Sequence, residues 1–387
     1  MTSARQSSFA RLTGSYGADM KKSNLHFIPL ESAGLSEVRL RGRKLIHFSG
    51  CDYFRLAHDP RLAAAAKKEL AATGLNVSAS RLTTGDRAIY HRLETALATF
   101  FRCESAVVLS DGYRAPLALA QAFAGDFTHA FIDELAHGAS LDAAQMFGCP
   151  VKKFPHRNPA ALKKLLARGG KNFRPVVLTD GMFSADGSVA PLRAYLKILP
   201  RGGMIFVDDA HGLGLLGAHG RGAVELENVS RERVVQCGTL SKAFGAFGGV
   251  ILSSRAVREK ILARSRSYAG ATPLPPPLAG AALASVGILT GDKSRRKKIA
   301  ANTAWLRAQL REVGWEIPET PGPIVRLPVL KPADEARLKK SLLAAGIYPP
   351  FLKYGAATHG TFRFVISSEH SRLQLKTAAA VLKKFKQ

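Results

Sequence analysis

Short apolar runs alternate with amphipathic stretches through the middle of the chain. Residues 106–109, 130–132, 151–154, 176–179, 204–207 and 234–237 read as buried strands, and 139–147 and 159–167 carry helical spacing between them. Strands that alternate with helices predict βαβ units and a mostly parallel sheet. Runs that are apolar throughout predict a sheet covered by helices on both faces. After the proline-rich PLPPP at 273–277 the texture changes. Long helical patterns cover 278–289 and 293–313, and short strands at 324–327 and 361–366 mix with helices at 333–345 and 372–385. The expected architecture is α/β: a large domain with a mostly parallel sheet covered by helices, plus a smaller α+β C-terminal domain. The expected boundaries are 1–47 for an N-terminal arm that joins the small domain, 48–277 for the large domain and 278–387 for the small one.

Composition narrows the class. The 387 residues are 46% hydrophobic and carry 56 Lys+Arg against 29 Asp+Glu, a net charge of +27, which excludes an acidic disordered chain. The cations are spread along the chain, with short clusters at 21–22, 295–298 and 383–386, and no arginine–aromatic interleaving accompanies them. A solvated basic face that attracts polyanionic substrates is expected, and no nucleic-acid partner. Cys51, Cys103, Cys149 and Cys237 lie far apart without a C-x-x-C pair, so neither a metal site nor a disulfide framework is expected, and the compartment is reducing. The N-terminal MTSARQSSFARLTG lacks the apolar core of a secretory signal, and prolines and glycines interrupt the uncharged stretch 267–291. The expected location is cytoplasmic, with no membrane span.

Six segments carry candidate chemistry. GTLSKAFGAFGG at 238–249 follows a buried strand and places Lys242 among small and hydroxyl residues, where a partly desolvated amine can form a Schiff base. Thr239 in the same segment can offer its hydroxyl to a phosphate. IFVDDAHGLG at 205–214 ends another strand in Asp208 and His211, where a carboxylate can pair with a ring nitrogen. DELAHGASL at 133–141 puts His137 just before a helix, positioned to cover the face of a bound ring. SDGY at 110–113, with Gly112 and Tyr113, opens a helix whose free amides can bind phosphate. TDGMFSADGS at 179–188 offers Ser184 as a hydrogen-bond donor, and Arg363 projects from the apolar strand TFRFVI at 361–366. A guanidinium there calls for an anion, either a substrate carboxylate or a structural partner.

In order and spacing these segments resemble the α-oxoamine synthases, which are fold-type I enzymes that use pyridoxal 5′-phosphate. The resemblance runs from about Phe48 to Leu382 and includes SRLTTG at 80–85 and HRLE at 91–94. It implies that Lys242 binds the cofactor and transfers protons, and that Asp208 pairs with the pyridinium nitrogen. His211 and Ser184 would contact the ring hydroxyl and His137 would stack on the ring. Gly112, Tyr113 and Thr239 would hold the phosphate, joined by Thr272 of a second subunit in a homodimer with shared active sites. Arg363 would take the amino-acid carboxylate, with Cys51 and Ser80 near the substrate. The implied reaction is a decarboxylating condensation of an amino acid, foremost L-alanine, with an acyl thioester on coenzyme A or an acyl carrier protein. Glycine or serine in place of alanine, or an aminotransferase of the same fold, remain alternatives. The chain departs from the family on the substrate side. CDYFR at 51–55 replaces an Asn-Asp-Tyr-Leu-Gly motif, NVSA at 76–79 replaces a glycine-rich run, and Pro116 replaces an asparagine. Thr361 stands for the first arginine of an Arg-x-Arg strand, and the segment after Pro350 is longer.

Overall fold

A computed structural model of the chain describes residues 29–353 and 359–386; residues 1–28 of the N-terminal arm and residues 354–358 of the longer segment lie outside them. Near the start, β1 (Glu31–Ser32), β2 (Glu37–Leu40) and β3 (Arg43–His47) form an antiparallel meander. The large sheet is built from β4 (Ser105–Leu109), β5 (His129–Asp133), β6 (Val151–Phe154), β7 (Pro175–Asp180), β8 (Met204–Asp208), β9 (Val234–Thr239) and β10 (Gly249–Ser253). Its order is β4-β10-β9-β8-β7-β5-β6. The pairings among β5 to β9 are parallel, and only β10 runs against its neighbours. A third sheet joins β11 (Ile324–Arg326), β14 (Thr361–Val365) and β13 (Phe351–Leu352), while β12 (Ile347–Tyr348) pairs in parallel with β3.

The α/β expectation holds, and the packing explains why. Side chains alternate across a strand, so each strand of the large sheet feeds two cores. Val108, Phe131, Val177, Val207 and Val250 enter one; Val107, Ile132, Leu178, Phe206 and Ile251 enter the other. Phe206 meets the rings of Phe123 and Phe127 edge-on, at 5.1 and 5.8 Å between centroids. Burying each such side chain contributes about 1.5–3 kcal/mol. A third core, with Phe48, Leu306, Trp315, Leu338, Phe364 and Leu375, organises the C-terminal part. Phe48 comes from the N-terminal side, and its carbonyl accepts the Val365 N–H at 2.8 Å. The helix Pro276–Gly291 packs against the helices Pro60–Thr73 and Ala88–Phe101 of the large sheet's layer. No helix among the described residues is long and apolar enough to cross a membrane.

Candidate active site

The carboxyl ends of β4, β5, β7, β8 and β9 surround one cavity of about 220 Å³, the edge at which open α/β sheets bind ligands. Asp208 ends β8 in register with Asp180 at the end of β7, and both face the cavity. Thr239 comes from the end of β9 and Lys242 from the turn that follows. His137 enters from the loop after β5, His211 from the loop after β8, and Gly112 with Tyr113 from the turn after β4.

Local chemistry holds each group. Thr239 Oγ1 donates to the Gly248 carbonyl at 3.0 Å and accepts the Ser241 N–H at 3.1 Å, which locks the turn carrying Lys242. A Cβ at Gly112 would lie 2.5 Å from that of Thr239, so only glycine lets the two turns approach. His137 Nδ1 accepts the Ala139 N–H at 3.2 Å and caps the helix Gly138–Gln145, while its own N–H donates to Asp180 Oδ1 at 2.9 Å. His211 Nδ1 is 2.8 Å from the Tyr53 hydroxyl. The Tyr113 hydroxyl donates to the Asp142 carboxylate. Asp209 turns inward instead: its Oδ2 accepts from the Ala223 N–H and Gln236 Nε2, both at 2.6 Å. A Cβ at Gly181, Gly212 or Gly222 would collide with that carboxylate, so Asp209 belongs to the scaffold.

Burial sets the charges. It pushes the Asp180 carboxyl well above the usual range, and the neighbouring Asp208 adds to the effect. Asp208 is raised by burial too, with Lys242 and His137 pulling it back. Burial lowers the Lys242 ammonium, and the Arg363 guanidinium lowers it further against the pull of Asp208, Cys51 and Asp180. His211 is held far below its ordinary value by burial and by the charges of Lys242, Arg363 and His137, so its ring stays neutral.

The cavity thus gathers Gly112, Tyr113, His137, Asp208, His211, Thr239 and Lys242. Arg363 lies buried on β14 beside it, with Nη2 3.6 Å from Cys51 Sγ. The remaining expected residues do not line the cavity. Ser184 is half-buried in the turn after Phe183. The Ser80 carbonyl accepts the Gly85 N–H at 2.9 Å, closing a turn. Thr272 is exposed and lines a small recess with Arg81, Ser110 and Arg114. SRLTTG and HRLE meet through Arg81, which donates to Glu94 at 2.5 Å and to Asp86 at 2.7 Å, a structural link. Sequence reasoning assigned nothing to Asp180 or to the Tyr53 hydroxyl. For Asp180 the signal was present, an acid closing an apolar run just as Asp208 does.

A strand-end lysine and a buried carboxylate on one cavity define a cofactor-dependent α/β enzyme. The family described as Aminotransferase class I and II matches residues 43–382, and the chain belongs to it as a pyridoxal-phosphate-dependent acyltransferase of the α-oxoamine synthase group. It is 32% identical to the 8-amino-7-oxononanoate synthase of Citrifermentans bemidjiense over 91% of this chain and 92% of that protein. It is 34% identical to the Pelobacter propionicus enzyme of the same name over 89% of each. Among solved structures, Sphingomonas wittichii serine palmitoyltransferase superposes with a TM-score of 0.87 at 27% identity, covering 99% of this chain and 95% of that one. Francisella tularensis 8-amino-7-oxononanoate synthase gives 0.76 at 24% identity, covering 88% and 97%, which shows the shared fold. The donor set fits pyridoxal 5′-phosphate. Lys242 suits an aldehyde, the Asp208 carboxylate a ring nitrogen, and the glycine-only approach between Gly112 and Thr239 a phosphate.

Proposed function

We propose that the chain condenses L-alanine with a pimeloyl thioester, carried by coenzyme A or by an acyl carrier protein. Carbon dioxide is lost and 8-amino-7-oxononanoate forms, a step of biotin biosynthesis. The observation that carries this reading is the convergence of Lys242, Asp208, His137 and His211 on one cavity with Arg363 beside it, in a chain 32% identical to an 8-amino-7-oxononanoate synthase over nine tenths of its length.

When bound, pyridoxal 5′-phosphate supplies an electron sink for the carbanion at the amino-acid α-carbon. Asp208, which lines the cavity, would pair with the ring nitrogen and keep it protonated. Lys242 Nζ holds the cofactor, then takes the substrate α-proton and returns it at the end. Its lowered ammonium pKa leaves the amine unprotonated over more of the neutral range, as a general base requires. Neutral His211, fixed by Tyr53, would meet the ring hydroxyl, and His137 would cover the ring. Gly112, Tyr113 and Thr239 take the phosphate, and Thr272 reaches it from the second subunit of a homodimer. Arg363 would bind the substrate carboxylate bidentately, with Cys51 beside it. The division at 48–277 and 278–387 lets Arg363 approach from the smaller domain, and the enzyme is cytoplasmic.

A second reading, serine in place of alanine, draws on the serine palmitoyltransferase structures that superpose at 0.87 and on the departures at Cys51 and Thr361. The test is a matrix of alanine, glycine and serine against pimeloyl, palmitoyl and acetyl thioesters, with products weighed by mass spectrometry. Alanine with a pimeloyl thioester should give the mass of 8-amino-7-oxononanoate. A product from serine and palmitoyl thioester alone would overturn alanine, and amino-group exchange with a keto acid as the sole reaction would overturn condensation.

A further inference from the structure

The reading above leaves Asp180 unused, although it is as buried as Asp208 and lines the same cavity. We infer that Asp180 is a positioning residue that ties the backbone at His137 to β7 and needs no charge to do so, leaving Asp208 as the cavity's one working carboxylate. This rests on the proposal that Asp208 faces the ring nitrogen of the cofactor.

The geometry makes the two acids unequal. They sit opposite each other on adjacent parallel strands, about 5 Å apart along the hydrogen-bonding direction. Two charges that close in a dry site cannot both persist, and one carboxyl keeps its proton. The groups facing Asp180 are Asp208 on β8, Cys237 on β9, Asp133 at the end of β5, His137 in the following loop and Lys242. After burial, the largest influence on Asp180 is repulsion by Asp208, whereas the largest charge acting on Asp208 is the cation of Lys242. Asp208 also accepts the Ala210 N–H at 3.1 Å. A proton on Asp180 relieves the repulsion between the two acids while leaving the attraction between Asp208 and Lys242 in place.

A neutral carboxyl suffices for what Asp180 does. Its Oδ1 accepts the His137 N–H at 2.9 Å, and the same residue's ring caps the helix Gly138–Gln145. That one bond fixes the His137 backbone against the strand beside Asp208. Asparagine has an equivalent acceptor oxygen and no charge, so it should replace Asp180 yet fail to replace Asp208. The pair is thus a built-in control, two aspartates in register with opposite expected responses to one substitution.

The experiment compares wild type, Asp180→Asn, Asp180→Ala and Asp208→Asn after the cofactor is removed. Each is titrated with pyridoxal 5′-phosphate, reading affinity and the circular dichroism of the bound chromophore. Asp180→Asn should bind within about threefold of wild type with the same dichroism, because the hydrogen bond survives. Asp180→Ala should weaken binding about tenfold, the loss expected for one buried hydrogen bond, and change the dichroism as His137 shifts. Wild-type affinity and dichroism in Asp180→Ala would overturn the positioning role. Asp180→Asn as damaged as Asp208→Asn would overturn a role that needs no charge. Asp208→Asn equal to wild type would overturn the assignment of Asp208 itself, and with it the reading on which this inference rests.

Discussion

The two sides of the cavity are built differently. On one side, Asp180, Asp208 and Thr239 end adjacent strands of a sheet buried on both faces, and their spacing is set by strand register. On the other side, Cys51 and Tyr53 belong to a loop, and Arg363 belongs to β14 of a separate sheet. The sides touch where Tyr53 meets His211 and where Lys242 interacts electrostatically with Cys51 and Arg363. The loop also carries strain. Arg55, where the family resemblance expects glycine, has φ 54, and its Nε is buried without a hydrogen-bond partner among the described residues. A left-handed non-glycine residue costs about 1–2 kcal/mol. On the proposed function, cofactor chemistry rests on the sheet ends, while the groups assigned to the substrate sit on a loop and a separate sheet. That is where this chain departs from its family.

The sharpest break of this contrast lies on the sheet side. Lys242→Ala should cut turnover by about four orders of magnitude, the upper range for losing a proton-transfer group; residual activity within tenfold of wild type would remove Lys242 from the chemistry. A smaller effect is expected where the sides meet. Tyr53→Phe leaves a buried His211 nitrogen without its partner, which should cost about 1–3 kcal/mol in denaturant unfolding. An unchanged midpoint would mean that the two sides are not coupled there.

A further effect concerns the scaffold behind the loop. His370 stacks on Phe48 at 4.3 Å, and its Nδ1 accepts the Ser367 N–H at 2.9 Å. Burial, aided by the Arg55 charge, takes its pKa from 6.5 to about 3. Between those values the unfolded chain binds the proton and the folded chain does not, so stability falls as pH drops from 6.5 towards 3. Unfolding midpoints at several pH values should show this loss, reduced in His370→Gln. Equal pH dependence in both proteins would contradict it.

Much of this organisation was legible in the chain. All six runs became strands, β4 to β9, and five are buried on both faces, where a strand needs no alternation to be recognised; β6, expected to be buried, lies at the sheet edge and exposes Lys152 and Lys153. The antiparallel β10 was hidden, since its glycine start continues the lysine-bearing GTLSKAFGAFGG segment. Lys242, Asp208, His137 and His211 were readable because each follows a buried run and so emerges at one sheet edge. Asp180 follows the same rule, yet its turn-like TDG context masked it. Tyr53 was beyond reach, because its contact with His211 joins residues 158 positions apart. Ser184, Ser80 and Thr272 were expected near the site, and in the single chain none of them lines the cavity.

On the proposed function, cofactor and substrate are held by separate sides of one cavity. This claim is tested most directly by Arg363→Ala, titrated first with pyridoxal 5′-phosphate and then with L-alanine, following the cofactor's visible spectrum. The account predicts cofactor affinity within about threefold of wild type and a loss of about 2–5 kcal/mol in alanine binding, the range for truncating one partner of a buried charge pair. Arg363→Lys should recover part of it, because a point charge does not reproduce the planar fork. Unchanged alanine binding, or loss of the cofactor together with alanine, would contradict the claim.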